Sequence, residues 1–350
     1  MLNLQLLTQR IQHNCHISDA QYAGHYTMCI FLLKMREYYR WEKGIPLSHP
    51  LPRKEVGEWL IEREQFWDDL DSKPLSPLSL NNQNFDPFDS EQINAHLNPQ
   101  GYVYSGGLGI FHKPYFFLGK LERKEVRDNI TLLVSSEEYA RDLVAPPAML
   151  LGDTVYIRKE SLRRIIWERI DEWLLKQQKE TPMARALACY GFENQNNTNM
   201  ESLLDQMTDN ELESVLLHET GEAQARILLG TQWEELLNAL PRSKAEFIAR
   251  AVRDHLADCL TTLPTLTENG NEASLHFYFA NFSGMRREIF PEAMKAYQHW
   301  VDSGSLVALK EVYRNGQICW QELAKKILNL YQTHTNRLAE DIESLCQTNI

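Results

Sequence analysis

The sequence is poor in the signatures that announce a function. No apolar run approaches the ~20 residues that a membrane-crossing helix needs, and the longest patch, Met28 to Leu33, stops at Lys34. The opening residues, Met1-Leu2-Asn3-Leu4-Gln5-Leu6, lack the basic stretch and long apolar segment of a secretion signal. The 6 cysteines are scattered with no C-x-x-C pair, so reduced thiols are expected. Positive charge is in deficit, 36 basic against 48 acidic residues, for a net charge of −12. That balance disfavours a nucleic-acid backbone or an anionic membrane as the main partner. There is no G-x-S-x-G elbow, no P-loop Lys-Ser/Thr and no repeat of fixed period. The absences leave a cytoplasmic protein as the expectation.

What is present is ordinary globular composition, 350 residues with 43% hydrophobic and 24% charged. That length suits one large domain or two packed ones. Ser18 and Asp19 predict the cap of a long helix reaching about Lys43, ended by Gly44 and Pro46. Lys54 to Asp71 reads as helix, and the Pro/Asn/Ser-rich stretch Lys73 to Ser90 as an exposed connection. Tyr102-Val103-Tyr104, Tyr115 to Leu118, Ile130 to Val134 and Thr154 to Ile157 read as strands, with Arg127-Asp128-Asn129 as a turn. From Lys159 onward the periodicity is helical. Thr208 with Glu211 and Ser243 with Glu246 predict capping boxes, Gly230 and Pro264 predict stops, and one helix is expected over Gln317 to Cys346. The expected fold class is α+β, predominantly α: a helical bundle with a small antiparallel sheet in the N-terminal half. The expected parts are a helical region 1–72, an extended linker 73–100, a β-containing region 101–158 and a helical bundle 159–350, which could also form one compact domain.

Two helical segments carry acids and a histidine at one-turn spacing, His218-Glu219-Thr220-Gly221-Glu222 and Asp254-His255-Leu256-Ala257-Asp258. Residues one turn apart share a helix face, so each segment could aim ligands at a common point. On a helical wheel His255 falls in the apolar face of Ala245, Ile248, Val252, Leu256, Cys259 and Leu263, with Asp258 at its edge. A buried imidazole there needs a partner. Imidazole and carboxylate ligands suit Fe, Mn or Zn. His218, Glu222, His255 and Asp258 are the candidate metal ligands, and Glu219 the candidate base. The order departs from the Glu-x-x-His of di-iron bundles, and Glu222 stands where H-E-x-x-H has its second histidine, so a zinc protease is not expected. The plainer alternative is a solvated His–Glu pair beside a core histidine satisfied by one carboxylate.

Other groupings have structural explanations. Cys15, His16, His25 and Cys29 fit a buried helix, with a soft-metal site or a Cys29–His25 nucleophile pair as the alternative. Arg36, Glu37, Arg40 and Glu42 fit a salt-bridge set or an anion site. Ser105-Gly106-Gly107-Leu108-Gly109 fits a turn or bulge. His276 to Phe282, followed by Arg286, Arg287 and Glu288, fits a core segment, or a wall of the candidate site with His276 or Glu288 as an extra ligand.

Two stretches carry a resemblance. One is Ser18-Asp19-Ala20 leading to Leu33-Lys34-Met35-Arg36-Glu37-Tyr38-Tyr39-Arg40-Trp41-Glu42. The other is Ala145-Pro146-Pro147-Ala148-Met149-Leu150-Leu151-Gly152, running into Tyr156-Ile157-Arg158-Lys159-Glu160-Ser161-Leu162-Arg163-Arg164. Together they resemble an uncharacterised family of bacterial cytoplasmic proteins of similar length. The resemblance implies a bacterial single-chain unit and carries no catalytic residue across.

The leading expectation is a metal-dependent enzyme, an iron oxidoreductase among the candidates, acting on a small molecule with no nucleic-acid or membrane partner. The rivals are a non-catalytic interaction or scaffold protein, and a small-anion binder using Arg36, Arg40 or Arg286.

Overall fold

The aromatic and β-branched runs between residues 102 and 158 pair into one five-stranded sheet of β3 (Tyr102–Leu108), β4 (Pro114–Arg127), β5 (Ile130–Arg141), β6 (Ala148–Leu151) and β7 (Thr154–Arg158), in the order β3-β4-β5-β7-β6. β3, β4 and β5 form an antiparallel meander, while β7 runs parallel to β5 from Thr131↔Thr154 to Ser135↔Arg158. In this computed structural model residues 3–109, 112–127, 129–176, 178–192, 199–333 and 337–349 are described. They divide into two units, Met1–Glu168 with Met200–Asp205, and Arg169–Asn199 with Gln206–Ile350.

The sheet corrects the expected fold class. It is mixed and curled, its two central strands are 14 and 12 residues long, and a separate two-stranded sheet precedes it, so a helical bundle with a small antiparallel sheet is not the architecture. Two things hid this. The strand signal in Tyr115 to Leu118 and Ile130 to Val134 continues into charged residues that keep strand alternation. The parallel step is non-local: after β5 the chain passes through residues 142–147, lays β6 on the outer edge, and returns β7 between β6 and β5. The glycine run is no turn. Gly106 and Gly107 lie inside β3, where an added Cβ would collide with the Pro87 carbonyl oxygen and the Tyr115 hydroxyl. Asp128 of the expected turn lies outside the described residues.

In the first unit α1 (Leu4–Tyr22) lays Leu7, Ile11 and Cys15 on Tyr104, Phe116 and Leu118 of the sheet. The single helix expected up to Lys43 is divided, with α2 (Met28–Glu42) starting anew. Ser18 and Asp19 are buried in α1 rather than capping it: the Ser18 hydroxyl donates to the Pro114 carbonyl, and Asp19 takes the Lys113 ammonium at 2.7 Å. α3 (Arg53–Asp68) follows. The stretch read as an exposed connection folds into a hairpin of β1 (Leu78–Leu80) and β2 (Gln83–Phe85) that buries Leu78, Leu80 and Phe85, and α4 (Ser90–Leu97) leads into the sheet.

Charge is buried here in matched sets. Lys113 lies between Asp19 and Asp142, 3.2 Å from the latter. Arg158 faces Glu138 through Nε at 3.1 Å and Nη2 at 2.5 Å, with both side chains fully buried. Glu138 also accepts from the Ser161 hydroxyl at 2.5 Å. Burial pushes the Glu138 carboxyl up, but the Arg158 and Arg141 guanidiniums outweigh it and hold it below the usual value.

The second unit takes in the end of α5 (Lys159–Lys176) and α6 (Pro182–Cys189), then most of α7 (Met200–Leu229) and α8 (Thr231–Ala239). It continues through α9 (Lys244–Ala257), a π turn (Asp258–Thr262), α10 (Leu263–Glu268), α11 (Glu272–Asn281), α12 (Gly284–Ile289), α13 (Pro291–Ser303), α14 (Val307–Thr333) and α15 (Leu338–Asn349). The core runs from Ile248, Val252, Leu256 and Cys259 to Trp320, Leu323 and Ile327. The Ser243 side chain caps α9, accepting from Glu246 N at 3.4 Å. No cap forms at Thr208, because Glu211 is buried and accepts from Ser274 (2.9 Å) and Tyr190 (3.0 Å) while α7 runs on. Pro264 does not stop its helix, since the π turn before it widens the ladder where proline's missing N–H and ring would interrupt an α-helix. Two helices replace the expected Gln317 to Cys346 helix, and residues 334–336 between them lie outside the described residues. Among the described residues no helix is long and apolar enough to cross a membrane.

Removing one partner of a buried pair strands the other charge, at a cost of about 3–5 kcal/mol. Glu138→Ala is therefore expected to lower urea-unfolding stability by that amount, and an unchanged unfolding midpoint would refute the ion pair's structural role.

Candidate metal centre

The candidate site begins with a close helix crossing. Gly221 of α7 faces the end of α9, and a Cβ there would strike the Ala257 carbonyl oxygen and the Thr261 hydroxyl. Thr261 Oγ1 donates to the Leu217 carbonyl of α7 at 2.7 Å and to Ala257 O at 3.0 Å. The π turn starts at Asp258, inserting an extra residue into the ladder where its carboxylate meets α7.

Asp258, 1% exposed, is the hub. Its Oδ1 lies 2.7 Å from His218 Nδ1, and its Oδ2 accepts from the Tyr278 hydroxyl at 2.9 Å and from the Arg286 guanidinium. With Nδ1 engaged, His218 turns Nε2 toward Glu222 Oε1 at 3.5 Å. Arg253 Nη2 bridges Glu222 Oε1 (2.7 Å) and Asp254 Oδ1 (3.2 Å). Ligand atoms of His218, Glu222 and Asp254 lie within 4.8 Å of one another.

Of the sequence-derived set, His218, Glu222 and Asp258 come together and His255 does not. His255 is fully buried, stacked on Trp320 at 4.8 Å between centroids and edge-on to Phe290. Its Nε2 donates to the Arg286 carbonyl at 2.9 Å, and burial, then Arg286, lowers its pKa to about 3, so the ring is neutral. The histidine thus pins the backbone that presents Arg286 to Asp258. Glu219, 9% exposed, is pushed up to about 7 by burial and by Glu222.

The other histidine electrostatics follow from these contacts. Burial pushes the His218 imidazole down, but Asp258 and then Glu222 outweigh it and hold it well above the usual value. Burial likewise opposes ionisation of Glu222, yet Arg253 and His218 bring it down to about 2.

The remaining candidates stand elsewhere. His276 stacks on Trp300 and meets the Tyr297 hydroxyl at 2.9 Å, and Glu288 pairs with Lys244 at 2.8 Å. Cys15 is sealed, its thiol donating to Phe116 O at 3.2 Å, and burial raises its pKa well above the usual value. His16 sits beside Arg63 and Trp67 Nε1, and Cys29 is exposed. Arg40 is consumed by Glu37 and by the carbonyls of Pro46 and His49, and Arg36 lies 3.4 Å from Glu37. Sequence reasoning left Asp254 out of the candidate set and did not single out Arg253, Thr261 and Gly221 as neighbours, while the stretch His276 to Phe282, named as an alternative wall of the site, supplies Tyr278. The one signal available was a glycine in mid-helix, which costs about 1 kcal/mol against alanine and so marks a close approach.

The geometry defines a helical unit with a buried acid–histidine–arginine centre, preceded by an α/β unit built on a mixed sheet. Two models of a family of unknown function (DUF6866) match the chain, the N-terminal domain over residues 6–158 and the C-terminal domain over residues 163–349, and the chain belongs to that family. No curated protein and no solved structure matches.

Gly221→Ala is expected to cost about 1–3 kcal/mol by forcing the helices apart, measured by urea unfolding. A histidine whose folded pKa is raised contributes stability that is complete below its unfolded pKa of about 6.5. That contribution is lost as pH rises through the higher folded value. The urea midpoint of the wild type should therefore fall toward that of His218→Gln on going from neutral to alkaline pH. A constant difference between the two would contradict the His218–Asp258 linkage.

Proposed function

We propose that the C-terminal unit binds a divalent first-row transition ion through His218, Glu222 and Asp254, and that the protein is a metal-dependent enzyme. The observation that carries this reading is the orientation of His218. Asp258 takes Nδ1 at 2.7 Å, which leaves Nε2 facing Glu222 Oε1 at 3.5 Å, with a ligand atom of Asp254 within 4.8 Å of those of His218 and Glu222. A carboxylate holding one ring nitrogen while the other faces the ion is how metal-ligating histidines are oriented. One imidazole with two carboxylates suits Fe, Mn or Zn. Three protein ligands leave positions for water and a small-molecule substrate, and the ion would supply Lewis acidity, or redox chemistry if it is iron. Glu219, one residue along α7 from His218, is the proton acceptor in this reading. Asp258 becomes the positioning residue, and His255 drops out of the ligand set.

A second reading has its own support. Arg253 and Arg286 already neutralise Glu222, Asp254 and Asp258, as a purely structural ion network would require.

Elemental analysis of untagged protein separates the two. Metal binding predicts near-stoichiometric Fe, Mn or Zn that is lost in His218→Ala and retained in His255→Phe. Metal-free protein that folds normally and takes up none of these ions on reconstitution favours the structural network and overturns the enzyme reading.

A further inference from the structure

Two acids of the proposed ligand set already hold a cation of the chain itself. Glu222 Oε1 is shared by His218 Nε2 at 3.5 Å and Arg253 Nη2 at 2.7 Å, and the same Nη2 reaches Asp254 Oδ1 at 3.2 Å. Two of the three ligands in the proposed set are thus tied to one guanidinium nitrogen. An ion drawing on those oxygens competes with Arg253 for their lone pairs. The displaced guanidinium loses both carboxylates in a place where its Nε is already buried with no acceptor. Arg286, on the other side of the hub at Asp258, also has a buried Nε without an acceptor. The Arg253 side chain is 25% exposed, so a guanidinium deprived of its carboxylates is open to a dissolved anion, and its planar N–H edge matches an oxyanion bidentately.

We infer that Arg253 is a built-in competitor for the metal, released when a small oxyanion (a phosphate- or carboxylate-bearing molecule) takes its guanidinium, so that ion and oxyanion bind together. The inference rests on the metal reading above and gives that site its substrate class: an anionic small molecule bridging the ion and Arg253. It also accounts for the density of arginine around a centre whose carboxylates would otherwise attract cations freely. Without oxyanion, Arg253 keeps the acids neutralised and the apo helices together. With it, the ion takes the carboxylates and the oxyanion takes the arginine, leaving no buried charge stranded. Binding linkage makes the effect reciprocal, so the ion must tighten the oxyanion by the same factor.

The test is calorimetric titration of Mn²⁺ into the full chain, with inorganic phosphate or with sodium chloride at matched ionic strength. Phosphate is expected to tighten Mn²⁺ by about tenfold or more, the scale of one charge-assisted interaction. Arg253→Gln should bind Mn²⁺ about tenfold tighter than wild type in chloride and show no phosphate effect. Arg253→Lys keeps a charge without the planar edge. It should bind weakly in chloride like the wild type and lose the phosphate effect, so the inference remains open to refutation if the glutamine variant misfolds. Wild-type Mn²⁺ binding that is equal in the two salts, with Arg253→Gln no tighter, overturns the inference and leaves the metal site standing. Absence of Mn²⁺ binding in every protein and condition overturns this inference, and absence of Fe and Zn binding as well overturns the metal reading.

Discussion

The carboxylate of Asp258 is the point on which the C-terminal unit turns. It collects His218 from α7, Tyr278 from α11 and Arg286 from α12, so one buried charge ties three helices together. Such an anion is tolerable only when its lone pairs are filled. The surrounding arrangement can be read as what filling them requires. The π turn delivers Asp258 to α7, Gly221 removes the side chain that would hold the helices apart, and Thr261 fastens the crossing. His255 completes the set indirectly, holding the Arg286 backbone while Trp320 and Phe290 enclose its ring.

The N-terminal unit solves the same problem with different elements. Lys113 at the end of the β3–β4 return, just before β4, reaches Asp19 on α1 and Asp142 just past β5, and Arg158 at the end of β7 closes on Glu138 within β5. Each pair joins segments far apart in sequence. Apolar packing sets how closely α1 and the sheet approach, while the ion pairs fix which residues face one another. A buried charge has few places it can go, and that restriction selects one register where hydrophobic contacts alone would tolerate several.

Legibility in the sequence followed the range of the interactions. The Ser243 cap was readable because its partner, Glu246 N, is three residues away. His218 and Glu222 were readable as neighbours because one helical turn relates them. The wheel also placed His255 inside the apolar face, where it lies. Ser18 and Asp19 look like a cap by the same local rule, yet Lys113, 94 residues on, draws Asp19 into the interior of a helix. The parallel entry of β7 could not be seen, because nothing in its five residues encodes which neighbour it takes. Nor could the exchange between His255 and Asp254 at the centre be seen. It depends on α9 meeting α7 at Gly221, which places Asp254 and Asp258 toward His218 while His255 faces Trp320.

The attachment of α1 has a consequence for synthesis of the chain. The helix is made before the sheet, yet its buried side holds on to Phe116, Lys113 and the Leu143 amide, which are made roughly a hundred residues later. Through that interval Leu7, Ile11 and Cys15 have no sheet to cover them. Docking must wait for β4 and β5 to pair, and contacts that span so much chain form slowly. Nascent α1 is therefore the segment on which a holding chaperone would act, and a pause in translation after residue 143 would give it time to be released into its native place.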